Sequence, residues 1–200
     1  MLKVCTDQTT EITAAAVEPL TLAEAKSHLR VDIADDDLLI EGQIKAAREY
    51  CEHYTARSFV QREYRADLWN FAEAIALPGR PIISISSVKY YDTSSPEALQ
   101  TWAASNYLLT ADIVRRVSGA SYPSIAYRAD AVQITYLAGY APTSSPITDW
   151  TEEVPFSVKQ AMLILIGDYY ENREAQMLYP GQLLKNTAAD RLLNPWRVYL

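Results

Sequence analysis

The spacing of apolar residues predicts two helices before Arg57. The first should be short and end near Arg30, because Thr21 followed by Glu24 has the spacing of a capping box at a helix start. The second should follow the run "ADDD", whose carboxylates we expect to accept hydrogen bonds from the first N–H groups of the helix. Its apolar stripe repeats at intervals of four and three, at Ile40, Ile44, Ala47, Cys51 and Tyr54.

After Arg57 the period of the apolar residues changes to two, which predicts strands. In "FVQREYRADLW" one face is apolar except for Arg62, and in "PIISISSVKYYD" Ile83 and Ile85, with Tyr90 as a further candidate, alternate with smaller polar residues. The apolar members of the first face are Val60, Tyr64, Ala66 and Leu68. About six short strands are expected between Phe59 and Tyr140, without intervening helices, and this favours an antiparallel sheet or small sandwich.

A third helix is predicted from Pro155, a residue suited to the first turn of a helix. Its broad apolar face should pack on the second helix, so the fold class is α+β: a helical core of three main helices with an inserted antiparallel β-module and an extended C-terminal tail. The expected segments are a flexible leader or single added strand (1–18), the first part of the helical core (19–57), the β-module (58–141), the third helix (142–174) and the tail (175–200).

The charge of the chain is uneven. The formal net charge of the 200 residues is −7, which argues against a general electrostatic grip on DNA or an anionic membrane. The charged residues from Ala175 onward are Lys185, Asp190, Arg191 and Arg197, so the tail carries +2 and the preceding residues −9. Without a secretion signal, an apolar run of about 18 residues or a disulfide framework, we expect a soluble intracellular protein.

Residues that often perform catalysis do not form a recognisable site in the sequence. His28 and His53 each lie late in a predicted helix, where a basic side chain complements the helix dipole. The run Asp35–Asp37 lacks the alternating spacing and the glycine of a calcium loop. No glycine-rich phosphate loop or nucleophile elbow occurs. We expect no catalytic, cofactor-binding or metal site.

The last eleven residues, "DRLLNPWRVYL", are more apolar and basic than chain ends usually are. The stretch "NTAADRLL" has the length of two helical turns that stop before Pro195, and so short a helix is marginal by itself in water. The end of the third helix, "YYENRE", fits either a solvated helix end or a contact surface, because tyrosine combines a large contact area with a hydrogen bond.

Several stretches, in this order, resemble the head-tail connector, or adaptor, proteins of long-tailed bacteriophages and gene transfer agents. They include "PLTLAEAKSHLRVD", "LPGRPIISISSVKYYD", "VQITYLAGY", "VPFSVKQAMLILIGDYYENRE" and "LLNPWR", and they cover nearly the whole chain from Pro19. The resemblance implies a structural virion protein and not an enzyme. Such proteins form a ring, usually of twelve copies, beneath the portal of a DNA-filled head and extend its channel toward a stopper and tail.

The resemblance also implies partners and contact residues. A portal-docking segment would span Leu183–Leu200, and its deletion from Leu192 should leave a folded body that no longer binds the portal. The expected docking residues are Leu192, Leu193, Pro195, Trp196, Arg197, Tyr199 and Leu200. A possible ring interface consists of Tyr169, Tyr170, Glu171 and Arg173. DNA would pass through the lumen without specific binding, in the neck of a particle assembled in the bacterial cytoplasm.

Two other functions remain open from the sequence. Trp69, Trp102 and Trp150 would form the stacking platform of a carbohydrate- or other ligand-binding module if they were exposed, although tryptophan is used more often in cores and interfaces. A hydrolase would use Glu152 and Glu153 or the aspartate run as its acid and base. The sequence does not distinguish a virus from a gene transfer agent.

Overall fold

The helices and strands of the chain form two units. The computed structural model describes residues 2–4, 9–13, 17–140, 154–172 and 187–199. A strand-rich unit comprises Met1–Ala16 and Val60–Tyr140, and a helical unit comprises Val17–Phe59 and Ala141–Tyr199. The helical unit is therefore built from two stretches of chain that flank most of the strand-rich unit in sequence, and the predicted α+β fold class is confirmed.

Four helices of the described residues build the helical unit. They are α1 (Leu22–Leu29), α2 (Asp37–Thr55), α3 (Phe156–Glu171) and α4 (Thr187–Leu193). A 3₁₀ helix, Asn194–Trp196, follows α4 directly. The predicted stripe of α2 is buried from Ile40 to Cys51, while its last member, Tyr54, is half-buried. This stripe packs on α3, as the apolar pattern predicts, and α3 also contacts α1 and α4.

The ends of α1 lie where the sequence predicts them. The Thr21 hydroxyl accepts a hydrogen bond from the Glu24 N–H (3.2 Å), and the Glu24 carboxylate accepts one from the Thr21 N–H (2.8 Å), which completes the capping box. At the other end Arg30 adopts a left-handed conformation with a φ of 58°, which terminates the helix. Both signals are local, so the sequence alone reveals them.

The capping expected from the acidic run at the start of α2 is wrong. Asp36 occupies the N-cap position, but its side chain makes no capping hydrogen bond. It accepts instead from the hydroxyl of Tyr170 on α3 at 2.6 Å, and Asp37 pairs with Lys26 of α1 at 2.5 Å. These carboxylates therefore tie the start of α2 to two neighbouring helices.

A buried charged cluster joins the two ends of the stretch Val17–Phe59. The guanidinium of Arg48, which is 3% exposed, donates to Glu18 and to Glu52 at 2.7 Å each. Glu52 also accepts from the backbone N–H of Phe59 at 2.8 Å. Burial alone would lower the pKa of Arg48, but the two carboxylates outweigh it and raise that pKa, so Arg48 stays charged. We refer to Glu18, Arg48 and Glu52 as the Arg48 clasp.

Replacing Arg48 with alanine should lower the free energy of unfolding by about 3 kcal/mol or more, because the substitution leaves the buried Glu52 carboxylate without its cation. Glu49→Gln is the matched control. Glu49 lies 3.6 Å from the same guanidinium but is 58% exposed, so a change below about 0.5 kcal/mol is expected. Urea unfolding measures both variants. Equal midpoints would contradict a stabilising function of the clasp.

The strand-rich unit contains two sheets within the described residues. Its strands are β1 (Leu2–Val4), β2 (Thr9–Glu11), β3 (Arg62–Leu68), β4 (Ala74–Ala76), β5 (Ile82–Tyr91), β6 (Leu99–Trp102), β7 (Tyr107–Thr110), β8 (Ile113–Arg116) and β9 (Val132–Ala138). One sheet has the order β2-β3-β9-β5-β6 and the other β1-β4-β8-β7. The pairs are antiparallel apart from β1 with β4, as predicted for the β-module. β4 is too short to show a period in the sequence.

The prediction for β5 is confirmed only in part. Ile85 and Tyr90 are partly buried and pack against the core, but the buried members of the strand are Ile82 and Val88, and Ile83 is half-buried. Two irregularities in the pairing of β5 with β9 lie between Ile82 and Val88. Because each irregularity shifts the alternation of side chains, a strict period of two cannot identify the buried face.

Two segments of the predicted flexible leader form strands instead. Leu2–Val4 pairs in parallel with β4, and Thr9–Glu11 pairs with β3. Glu11 accepts a hydrogen bond from Arg62 at 3.0 Å. Arg62 is the residue that interrupts the apolar face of β3, so the second leader strand supplies the carboxylate that allows a buried cation at this position.

Gly139, directly after β9, has a φ of +111°, a conformation that residues with side chains rarely adopt. A β-carbon there would overlap the backbone carbonyl of Val60. Gly139→Ala should therefore lower the free energy of unfolding by about 1–3 kcal/mol or more. Gly42→Ala in α2 is the control, since a β-carbon meets no atom there within 4 Å, and it should raise stability by up to about 1 kcal/mol. Equal urea midpoints would contradict this account.

Candidate docking surface

The C-terminal residues 187–199 are folded onto the helical unit. α4 contacts α2 and α3, and its residues Ala189 and Leu193 are fully buried. The 3₁₀ helix continues through Pro195, where the sequence predicts a stop. The expected extended tail is therefore wrong for these residues. A seven-residue helix is marginal in water, and burial of its apolar face against α2 and α3 stabilises it here.

Hydrogen bonds attach this segment to two helices. Three side chains at or just after the end of α2 donate to it: Tyr50 to Asp190 (2.8 Å), Tyr54 to Asn194 (2.8 Å) and Arg57 to the carbonyl of Trp196 (2.5 Å). The backbone N–H of Val198 donates to the carbonyl of Thr55 at 2.9 Å. The indole N–H of Trp196 donates to the hydroxyl of Ser157 on α3 at 2.8 Å. The conformation of the segment is thus fixed along its length.

The contact between Tyr50 and Asp190 depends on pH only under alkaline conditions. Burial and the hydrogen bond to Asp190 raise the pKa of Tyr50 to about 12. The folded protein therefore holds this proton more tightly than the unfolded chain, whose tyrosine pKa is about 10. The contact contributes its full stability below about pH 10 and loses it as the pH rises toward 12.

Part of the C-terminal segment faces solvent. Pro195 and Arg197 are exposed, and Tyr199 is 78% exposed. The Arg197 guanidinium lies 5.3 Å from the ring centroid of Tyr54 and 5.3 Å from that of Tyr199, within cation–π range of both. We refer to Tyr54, Pro195, Arg197 and Tyr199 as the tail surface. It offers a cation with adjacent aromatic area, a combination that is frequent in binding hot spots.

The seven predicted docking residues have different environments. Pro195, Arg197 and Tyr199 are exposed, Leu192 and Trp196 are half-buried, Leu193 is buried, and Leu200 lies outside the described residues. Residue type does not distinguish the exposed residues from the buried ones, since most of the seven are apolar. The spacing of Ala189 and Leu193 is the signal that identifies the buried face, because residues four apart lie on one side of a helix.

The residues predicted as a ring interface lie at the end of α3. Tyr169 is half-buried, and burial raises the pKa of its hydroxyl. Tyr170 donates to Asp36, so its hydroxyl is engaged within the chain. Glu171 is exposed, and Arg173 lies outside the described residues. The part of this interface that the structure describes therefore combines an internal contact with an exposed carboxylate.

The chain is similar to known proteins over most of its length. Residues 19–111 match the family model of phage gp6-like head-tail connector proteins. The chain also shares its fold with proteins in solved structures of gene transfer agent (GTA) particles, over 96% of this chain and 96% of each matched chain.

Three such structures define the shared fold. They are the neck of an empty GTA particle computed with C6 symmetry (24% identity, TM-score 0.74), the virion of a native GTA particle (24%, 0.72) and the neck of a native GTA particle computed with C12 symmetry (21%, 0.71). A comparison of the chain with curated protein sequences gives no match.

The histidines and the buried cysteine lie on α1 and α2. His28 and His53 lie in the last turns of α1 and α2, as predicted. Among the described residues, no three His, Cys, Asp or Glu side chains are close enough together to hold a metal ion. Burial raises the pKa of the Cys51 thiol to about 12, which makes it unreactive near neutral pH. No described helix combines the length and apolar character needed to cross a membrane.

Of the three tryptophans considered for a stacking platform, the structure describes Trp69 and Trp102. Trp102 is buried, and its ring centroid lies 4.9 Å from that of Phe71 and 5.6 Å from that of Tyr107. Trp69 is exposed and tilts against Tyr127 at 5.7 Å. Trp150, Glu152 and Glu153 lie outside the described residues. Trp102 is therefore part of the core and is not available to stack on a sugar.

Deleting the chain from Leu192 onward should destabilise the helical unit, which revises the expectation that the body stays folded without its tail. Leu193→Ala alone should lower the free energy of unfolding by about 2–5 kcal/mol, because Leu193 is fully buried. Tyr199→Ala is the exposed control and should change it by less than about 0.5 kcal/mol. Urea unfolding compares the variants, and equal stability of the two point variants would contradict a packed tail.

Proposed function

We propose that the protein is a structural head-tail connector, which forms a ring beneath the portal of a phage or phage-like particle and extends the DNA channel toward a stopper and tail. The match of residues 19–111 to the connector family carries this proposal. The fold shared with gene transfer agent neck proteins over 96% of the chain supports it. The protein has no catalytic function in this proposal, and it resides in the particle neck after assembly in the bacterial cytoplasm.

The similar neck structure with C12 symmetry supports a ring of twelve copies. Twelve copies present twelve tail surfaces to one portal. Once one tail surface binds, the others are held at high effective concentration, so a modest affinity for each copy gives a stable complex.

The tail surface is the proposed portal-docking site. Its arginine and tyrosines are already ordered on a folded segment, so docking requires little further loss of conformational entropy. Leu193 supports this surface from within the core, while Leu192 and Trp196 contribute their exposed parts. Docking without detachment also preserves the five hydrogen bonds that attach the segment to the helical unit.

The charge distribution fits a channel that DNA traverses and a tail that binds protein. A basic channel wall would bind DNA phosphates tightly through release of counterions. The net charge of −9 on the residues before Ala175 disfavours such binding of DNA. The net +2 from Ala175 onward differs in sign from the rest of the chain. We therefore propose that DNA passes through the lumen without specific binding.

Negative-stain microscopy of the protein mixed with the portal of the same particle tests the ring and the docking surface together. Portals should carry a ring of the unmodified protein. The double variant Arg197→Ala/Tyr199→Ala should require at least about tenfold more protein for the same occupancy, because it removes the cation and an aromatic ring from the tail surface.

The control is Tyr127→Ala, which changes a tyrosine that is 95% exposed in the strand-rich unit and should leave occupancy unchanged. Wild-type occupancy by the double variant would contradict docking through the tail surface. Bare portals at saturating concentrations of the unmodified protein would contradict the connector function itself.

A further inference from the structure

Three exposed aliphatic residues lie at or just before the start of α2. Leu38 is 84% exposed, Ile33 60% and Leu39 41%. The ammonium of Lys26 donates to the carbonyl of Ile33 at 2.7 Å and pairs with Asp37 at 2.5 Å, so the loop before α2 and its first turn are held around one cation. Single exposed aliphatic residues are common, whereas exposed apolar residues in the same short segment are candidates for an interaction surface. We refer to Ile33, Leu38 and Leu39 as the aliphatic knob.

A groove lies between α1 and α3 in the same helical unit. Its volume is about 480 Å³, within the range of recognition sites, and its apolar lining includes Leu20, Ala23 and Leu163. Phe156 stands at the groove and is 75% exposed. So large an exposed aromatic surface beside aliphatic side chains is suited to cover an apolar partner. We refer to this site as the α1–α3 groove.

Acidic side chains near the knob have a possible partner in the groove. Around the knob, Asp32, Asp35 and Glu41 are exposed and form no salt bridge among the described residues. The groove lining contains the carboxylate of Glu24, which accepts hydrogen bonds from Thr21, and the ammonium of Lys159, which has no carboxylate partner within the described part of the chain. An acidic side chain beside the knob of another copy can therefore pair with Lys159.

We propose that the aliphatic knob of one copy docks in the α1–α3 groove of the next copy. This inference rests on the proposed ring. The knob and the groove are unlike surfaces of one unit, and repeating a contact between unlike surfaces gives a closed ring when the rotation is suitable. Tyr170, a member of the ring interface predicted from the sequence, donates to Asp36 two residues before Leu38, so that interface borders the knob.

Cross-linking on the portal tests which surfaces meet. Two single-cysteine proteins, Leu38→Cys and Phe156→Cys, are made in a Cys5→Ser background, while Cys51 is left in place because its thiol is buried. Both new thiols replace exposed side chains, so the fold should be retained. A short bismaleimide should give cross-linked dimers when the two proteins are mixed on portals and none when either is used alone.

Leu38→Asp provides an independent measurement. It should raise the protein concentration that gives half-maximal ring occupancy by about tenfold or more, because every subunit contact loses a leucine that docking would bury. Leu108→Asp is the matched control, since Leu108 is a 42% exposed leucine of the strand-rich unit, and it should leave that concentration unchanged.

The outcomes separate this inference from the proposed function. Rings of unmodified protein, with no dimers from the mixture and normal rings from Leu38→Asp, would overturn the knob-and-groove contact and leave the connector function intact. Cross-linking of Phe156→Cys to the portal would also overturn it, because the portal would then occupy the groove. Absence of rings with the unmodified protein would contradict the connector function and this contact together.

Discussion

The guanidinium of Arg48 lies in the middle of α2 and is almost completely buried. Its two carboxylate partners lie near the two ends of the first stretch of the helical unit. Glu18 lies where the chain enters the helical unit, and Glu52 holds the N–H of Phe59, where the chain leaves it. A buried cation tolerates neither the loss nor a large displacement of its partners. Arg48 therefore fixes α2 relative to both crossing points, and α2 is the helix on which α3 and the C-terminal segment are assembled.

Because α2 is fixed, the C-terminal segment has a firm support. Tyr50, Tyr54 and Arg57 project from or just beyond the last turns of α2 and donate to successive points of the segment. A peptide that orders only on binding loses conformational entropy at that step, whereas a segment already folded on its own protein has lost it during folding. The tail surface is for this reason already ordered before docking, and Leu193 of the same segment is buried.

The helical unit also places two other surfaces on the same set of helices. The aliphatic knob begins α2, and the α1–α3 groove runs beside α3. Asp36 and Asp37, at the start of α2, bond to α3 and α1, so the position of the knob follows from the packing of the three helices. Assembly through these surfaces and docking through the tail surface would therefore depend on a single packed core.

The sequence by itself determined the parts of this protein that depend on residues a few positions apart. The capping box of Thr21 and Glu24, the stripe of α2 and the apolar face of α3 follow from local spacing, and the order of motifs resembles that of head-tail connector proteins. The sequence also revealed that the C-terminal segment is chemically unlike the rest of the chain.

Only the tertiary structure decided which residues far apart in the sequence contact one another. Glu11 pairs with Arg62, which is 51 positions away in the sequence. The carboxylate of Asp36 accepts a hydrogen bond from Tyr170, 134 positions away, and makes no capping bond. The irregular pairing of β5 with β9 changes which side chains are buried, and burial of Leu193 turns an expected free tail into part of a core. Each of these outcomes depends on packing between segments that share no local pattern, so no spacing in the chain encodes them.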